Sequence, residues 1–202
     1  MAAQRSGARR RGSYHHGDLK RALTSAALSL VAEKGPLGFT LTEAARRAGV
    51  SAAAPYRHFA DKAELLAAVA EQGFRELHAD LAAAAARASD PRERVLELGR
   101  AYVRWGVAHP DHYRVMFGGE SLKADHPGLA AAAEEAFGDL LDAIVTCQEA
   151  GLTGRNDSLQ IAAPLWSLVH GIASLAIGGD LQAVGVGDAP EDLVNAVAGQ
   201  LL

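Results

Sequence analysis

The stretch FTLTEAARRAGVSAAAPYRHFADK, Phe39 to Lys62, decides the fold. Thr40 and Glu43 stand three residues apart ahead of an alanine-rich run. That is the pattern of a capping box, in which a hydroxyl and a carboxylate each satisfy an orphan amide at a helix start. A helix is predicted from about Leu41, ended by Gly49, where glycine takes up a left-handed backbone at little cost. Ser51 offers an N-cap for a second helix after a very short turn. Two short helices joined this way make a helix-turn-helix unit, whose second helix enters the DNA major groove. Asp61, Lys62, Ala63 and Glu64 signal a third start. It opens a long helix carrying Leu65, Leu66, Val69, Phe74, Leu77 and Leu81.

The second helix has an unusual leading edge: Ser51, Ala52, Ala53 and Ala54. Alanine methyls can pack on thymine methyls but cannot hydrogen-bond a base edge. Pro55 falls at the end of the first turn, where its missing N–H removes only the first intrahelical bond, so the helix is expected to continue. Arg57 is the side chain equipped for a bidentate contact to guanine, and a contact to phosphate alone stays equally open. Tyr56, His58, Thr40 and Thr42 can donate to phosphate oxygens. Lys62 opposes the helix dipole in a first turn, which makes sense if a phosphate sits there. Phe59 reads as core.

Outward from this unit, residues 1–14 are basic and lack apolar periodicity, so they read as a flexible arm. Its Arg9, Arg10 and Arg11 could follow the DNA backbone or enter the minor groove. Leu19, Leu23, Ala26, Ala27, Leu30 and Val31 fall at helical spacing and predict a first helix, stopped by Gly35 and Pro36. Beyond Lys62 every apolar pattern is helical, and Pro190 suits the first turn of the last helix. The expected architecture is all-α, about nine helices: an arm over 1–14, a helix-turn-helix domain over 15–75, and a ligand-binding and dimerisation domain over 76–202.

Composition narrows the function. The chain has 202 residues and a net charge of −4, yet residues 1–62 balance at +7 and residues 63–202 at −11. A basic front on an acidic body suits a protein whose one end meets phosphates. The single cysteine, Cys147, excludes an internal disulfide and paired-cysteine metal sites, and a cytoplasmic location is expected. No Gly-rich phosphate loop or nucleophile elbow is present, so no enzyme activity or cofactor is expected. His109 and His112 have metal-ligand spacing, but Pro110 lies between them and no carboxylate-rich motif follows, so no metal is expected. Ser158 to Gly179 carries no charge and is long enough to span a bilayer. Its Gln160, Pro164 and His170 argue instead for a helix buried between subunits, with Gly171, Ala173 and Ser174 allowing close approach.

These residues resemble the TetR family of transcriptional regulators. The match runs from about His16 to Gly73 through the capping box, the Tyr56, His58, Phe59 signature and Lys62. Trp166, His170 and Gly171 match a Trp-x-x-x-His-Gly motif of one subgroup. The resemblance implies a homodimer and a ligand-responsive repressor. It implies phosphate contacts by Thr40, Tyr56, His58 and Lys62, with Ala52, Ala53 and Arg57 toward the bases. Pro164 within the motif helix and a short last helix depart from the pattern.

Trp105, His109, Tyr113, Met116, Phe117, Phe137, Trp166 and His170 are the large or polar-tipped groups from which an apolar pocket could be lined, His170 being the best polar anchor. Core packing is the competing reading for each. The expected function is sequence-specific binding of palindromic double-stranded DNA by a dimeric repressor that an unknown small-molecule effector releases. The alternative is a DNA-bound scaffold that recruits a protein partner and senses no small molecule.

Overall fold

The computed structural model describes residues 16–118, 125–154 and 157–201. Nine α-helices and no strand occur among them: α1 (His16–Lys34), α2 (Leu41–Arg47), α3 (Lys62–Ala85), α4 (Pro91–Ala108), α5 (Pro110–Phe117), α6 (Pro127–Glu149), α7 (Ser158–Gly178), α8 (Asp180–Ala183) and α9 (Asp192–Leu201). The helix starts are written locally. Thr40 caps α2 with the full capping box, and the side chains of Asp61, Asp90 and Asp157 accept from the amides of Glu64, Glu93 and Leu159. Proline opens α4, α5 and α6, where its missing N–H costs nothing. Gly49, at φ +71°, ends the first half of the helix-turn-helix unit in the conformation that favours glycine.

α3 is the hub: it packs on α1 at its start and on α4, α5 and α6 further along. At the N-terminal end Leu23, Ala27, Leu30, Val31, Phe39, Leu41, Ala44 and Phe59 are buried in the core that joins α1, α2 and α3. Burial of each large side chain here is worth about 1.5–3 kcal/mol. α4 lies against α6, α7 and α9, while α5 bridges the two ends by touching α1, α3 and α4. Arg100 of α4 ties α9 down through Asn195 and is itself held by Glu93 and Glu97.

Three expectations are corrected. The second helix of the helix-turn-helix unit is not a continuous α-helix from Ser51. Residues 52–54 form a turn, followed by one 3-10 turn over Pro55–Arg57 with Ala54 at its N-cap position. Pro55 has no N–H to return to Ser51, so the α ladder cannot establish itself in so short a segment. Ala173, expected to help α7 approach a second subunit, is fully buried inside the chain beside Gly106. The last helix begins at Asp192, after Pro190 and Glu191 in a turn. α7 does continue through Pro164 to a left-handed cap at Gly179, φ +81°. Pro164 leaves the Gln160 carbonyl without its usual partner near the start of the helix, on an exposed residue that water can reach.

Candidate nucleic-acid interface and ligand cavity

One face of the N-terminal unit gathers most of the residues expected to meet DNA. Thr40, Thr42, Ser51, Ala52, Ala53, Tyr56 and Arg57 are exposed, while Ala54, His58 and Lys62 are half-buried. The arm residues Arg9, Arg10 and Arg11 lie outside the described residues. Pro55 is buried and Phe59 is 2% exposed, so the 3-10 turn is anchored from beneath while Tyr56, 59% exposed, points outward. A large aromatic ring left in water between two buried neighbours has no folding reason to be there.

Charge on this face is sorted by pairing. Glu33 holds Arg47 through two hydrogen bonds of 2.7 Å, and Lys34 donates to Glu43 at 2.7 Å. The Lys34 bond, with those from the Thr40 amide and hydroxyl, holds the Glu43 carboxyl down at about 2. Glu43 therefore stays ionised and bound to its cap. Among the described residues Arg46 and Arg57 form no ion pair, which leaves their charge available to an anionic partner. Lys62 is placed differently from the sequence argument. Its Nζ donates to the carbonyls of Leu37 (3.2 Å) and Phe39 (3.1 Å) and lies 5.3 Å from the centre of the Phe39 ring. Two carbonyls and a ring face offset the unfavourable helix dipole. An ammonium has three donors, so one remains for a phosphate.

At the far end, α3, α4, α5, α6, α7 and α9 line a cavity of about 350 Å³. Phe74, Leu77 and Leu81 of α3 form one wall, with Leu98 and Tyr102 of α4 across it. Phe137 of α6 and Trp166 of α7 meet edge to face at 6.3 Å, as do Phe74 and Phe117 at 5.4 Å. Val194 of α9 closes one side by seating on Gly99, where an added Cβ would lie 2.8 Å from its Cγ1.

Of the expected pocket residues, Phe117, Phe137 and Trp166 line this cavity. Trp105, His109, Tyr113 and His170 lie outside the lining. His109 stacks on Trp105 with centroids 4.8 Å apart, and His112 is buried against Gly73. His170 sits one contact behind the wall. Its Nδ1 is 3.0 Å from the Tyr102 hydroxyl and 2.8 Å from that of Tyr113, which also donates to the His170 carbonyl at 3.1 Å. Burial pushes the Tyr102 phenol strongly upward, Tyr113 adds to it, and Trp166 opposes through a hydrogen bond. Tyr102 is the residue that sequence reasoning missed. It was visible as a tyrosine on the apolar face of α4, and a buried tyrosine carries its hydroxyl to a partner.

A helix-turn-helix unit with an exposed reading face, joined by one long helix to an all-helical body with an apolar cavity, defines a transcriptional regulator of the helix-turn-helix class. The chain belongs to the TetR family: residues 23–69 match "Bacterial regulatory proteins, tetR family", and residues 95–201 match "Tetracyclin repressor-like, C-terminal domain". Members of this family are DNA-binding regulators rather than enzymes. A protein of unknown function from Rhodococcus sp. RHA1 is 34% identical and superposes with a TM-score of 0.81, covering 95% of this chain and 97% of its own. The regulator PfmR of Thermus thermophilus, at 21% identity and a TM-score of 0.69 over 90% of this chain and 97% of its own, shares the fold. The HTH-type transcriptional regulator BetI of Rhizobium meliloti is 40% identical over 85 residues, 42% of each chain. The chain thus matches less than half the length of that curated relative.

Proposed function

We propose that this regulator is a cytoplasmic homodimeric repressor of a palindromic operator, released when a small molecule enters the cavity. The observation that carries the reading is the double engagement of α3. Its first residue, Lys62, is tied to the loop between α1 and α2, and its later residues Phe74, Leu77 and Leu81 form a cavity wall. The helix has 24 residues, about 36 Å at 1.5 Å per residue. A ligand that displaces the wall tilts the helix, and with it the unit holding the reading face. Release then follows from differential affinity for two conformers, which also sets its limit.

In this reading residues 15–75 form the DNA-binding domain and residues 76–202 the ligand-binding and dimerisation domain. Thr40, Thr42, Tyr56, His58 and Lys62 grip phosphates, Arg57 and the three alanines face the bases, and the arm adds non-specific grip. Dimerisation uses the exposed surface of α7, an uncharged helix on which Leu159 and Trp166 share one side and stand 52% and 37% exposed. α7 is long and apolar enough to cross a membrane by length and composition, and burial against a second subunit accounts for the same property.

Selection of duplexes from a random pool by the full chain tests the reading. A palindrome with half-sites about one helical turn apart is expected. A folded protein that enriches no sequence overturns the operator reading and favours recruitment of a protein partner.

A further inference from the structure

The cavity carries more information than its size. At about 30 Å³ per water-sized atom, its volume of about 350 Å³ holds roughly a dozen non-hydrogen atoms. No charged side chain is among the described residues that line it. An ion brought there without a partner costs several kcal/mol. Two pairs of rings meeting edge to face present both faces and edges to the interior, and such surroundings suit another ring.

Among the described residues, only Tyr102 and Trp166 bring polar side-chain atoms to the lining. Their hydrogen-bonding capacity is already partly assigned. The indole is a donor only, so what Trp166 can offer is an N–H. Tyr113 donates to the His170 carbonyl, and the Tyr102 hydroxyl lies 3.0 Å from His170 Nδ1, the imidazole tautomer setting which of the two donates. A phenol oxygen has two lone pairs. With one bond to His170 the Tyr102 hydroxyl keeps capacity for a second partner, and a ligand hydroxyl, which both donates and accepts, matches it in either tautomer.

We infer that the effector is an uncharged, mostly apolar molecule carrying one hydroxyl, a phenol or compact apolar alcohol, which hydrogen-bonds to the Tyr102 hydroxyl. This rests on the ligand-release reading above for its regulatory meaning, while the binding itself can be judged apart from it.

The test uses the full chain and four probes sharing one ring system: β-naphthol, its methyl ether, β-naphthoate and β-naphthyltrimethylammonium. Calorimetry reads binding, and fluorescence anisotropy reads release of the selected duplex. β-Naphthol should bind about tenfold more tightly than the ether, the effect of one ordinary hydrogen bond, and both charged probes more weakly than either. Tyr102→Phe should erase the naphthol advantage and leave the ether unchanged, and this isosteric variant keeps the fold. Ala136→Phe, which fills the cavity, should abolish both, with circular dichroism confirming a folded protein. Equal binding of ether and naphthol overturns the hydroxyl anchor. A charged probe that binds as tightly as naphthol, or no binding by any of the four, overturns the uncharged aromatic class. Naphthol that binds as expected but leaves duplex affinity unchanged supports the site chemistry and defeats the release reading. Release by naphthoate alone does the reverse.

Discussion

The reading face and the cavity are built on opposite plans. The reading face comes from one continuous run, Thr40 to Lys62, and most of its side chains are exposed, although Thr40 also caps α2 and Lys62 also ties α3 to the loop before α2. The cavity takes single residues from helices as far apart in sequence as Phe74 and Val194, and nearly all of them serve the core as well. An exposed residue of the first surface, such as Arg57, can change at little cost to stability. A residue in the second changes the packing of the core with it. The difference teaches that recognition of DNA evolves by substitution on a fixed frame, whereas recognition of an effector is inseparable from packing.

The largest expected effect joins the two plans. Phe59→Ala removes the anchor beneath the 3-10 turn, and a fully buried phenylalanine lost this way costs about 3–5 kcal/mol. Urea unfolding should register the loss, and duplex binding should fall with it. An unchanged unfolding midpoint would show that the turn is not held from below.

Next comes the cavity side. Gly99→Val places a side chain where Val194 now sits, 2.8 Å from the position of the new Cβ. Overpacking of this kind costs about 1–3 kcal/mol. Thermal melting should show it, while duplex affinity of the surviving folded protein stays within about twofold. A large drop in duplex affinity would mean that the two regions are coupled even without a ligand.

Smaller effects sharpen the reading face. Lys62→Ala removes two carbonyl contacts worth about 1 kcal/mol each, and it flattens the salt dependence of DNA binding by about one unit of slope if the third donor meets a phosphate. A destabilised variant with the original slope would make Lys62 an internal tie only. Arg57→Ala should relax preference at one base position per half-site. Uniform weakening across all sequences, read in the same selection, assigns Arg57 to phosphate.

The smallest is a pH effect. His112 is buried, and that burial lowers its pKa below the ordinary 6.5, with Glu76 raising it, His109 lowering it and Asp111 raising it. The unfolded chain binds the proton more readily, so this contribution is complete above pH 6.5 and declines on acidification toward the folded value. Melting temperature should fall gently over that window, and His112→Asn should flatten the decline. An identical slope in the variant would place the sensitivity elsewhere.

Much of the frame was legible because it is local. The Thr40–Glu43 capping box, the Asp61 cap and the stop at Gly49 each depend on residues within one turn of each other, and each forms as read. The helix through Pro55 was misjudged for a local reason too: a segment with so few residues cannot nucleate past a missing N–H. For Lys62 the dipole argument and the resemblance point to a phosphate, whereas its partners within the chain, the carbonyls of Leu37 and Phe39, lie more than twenty residues back. Tyr102 shows the same limit. Its position on the apolar face of α4 was plain, but its partners Tyr113 and His170 come from α5 and α7.

What the sequence by itself determined is most of the helices, the charge division between the two ends, and the segment carrying the alanines, tyrosine and arginine expected to read DNA. Hydrogen-bonding and helical periodicity act over a few residues, so those features are written where they occur. Only the tertiary structure decided that Ala173 turns inward, that His170 stands behind the cavity wall, and that Tyr102 stands in it. Those outcomes depend on which helices meet and at what register, and packing of distant side chains, not any short stretch of chain, fixes that.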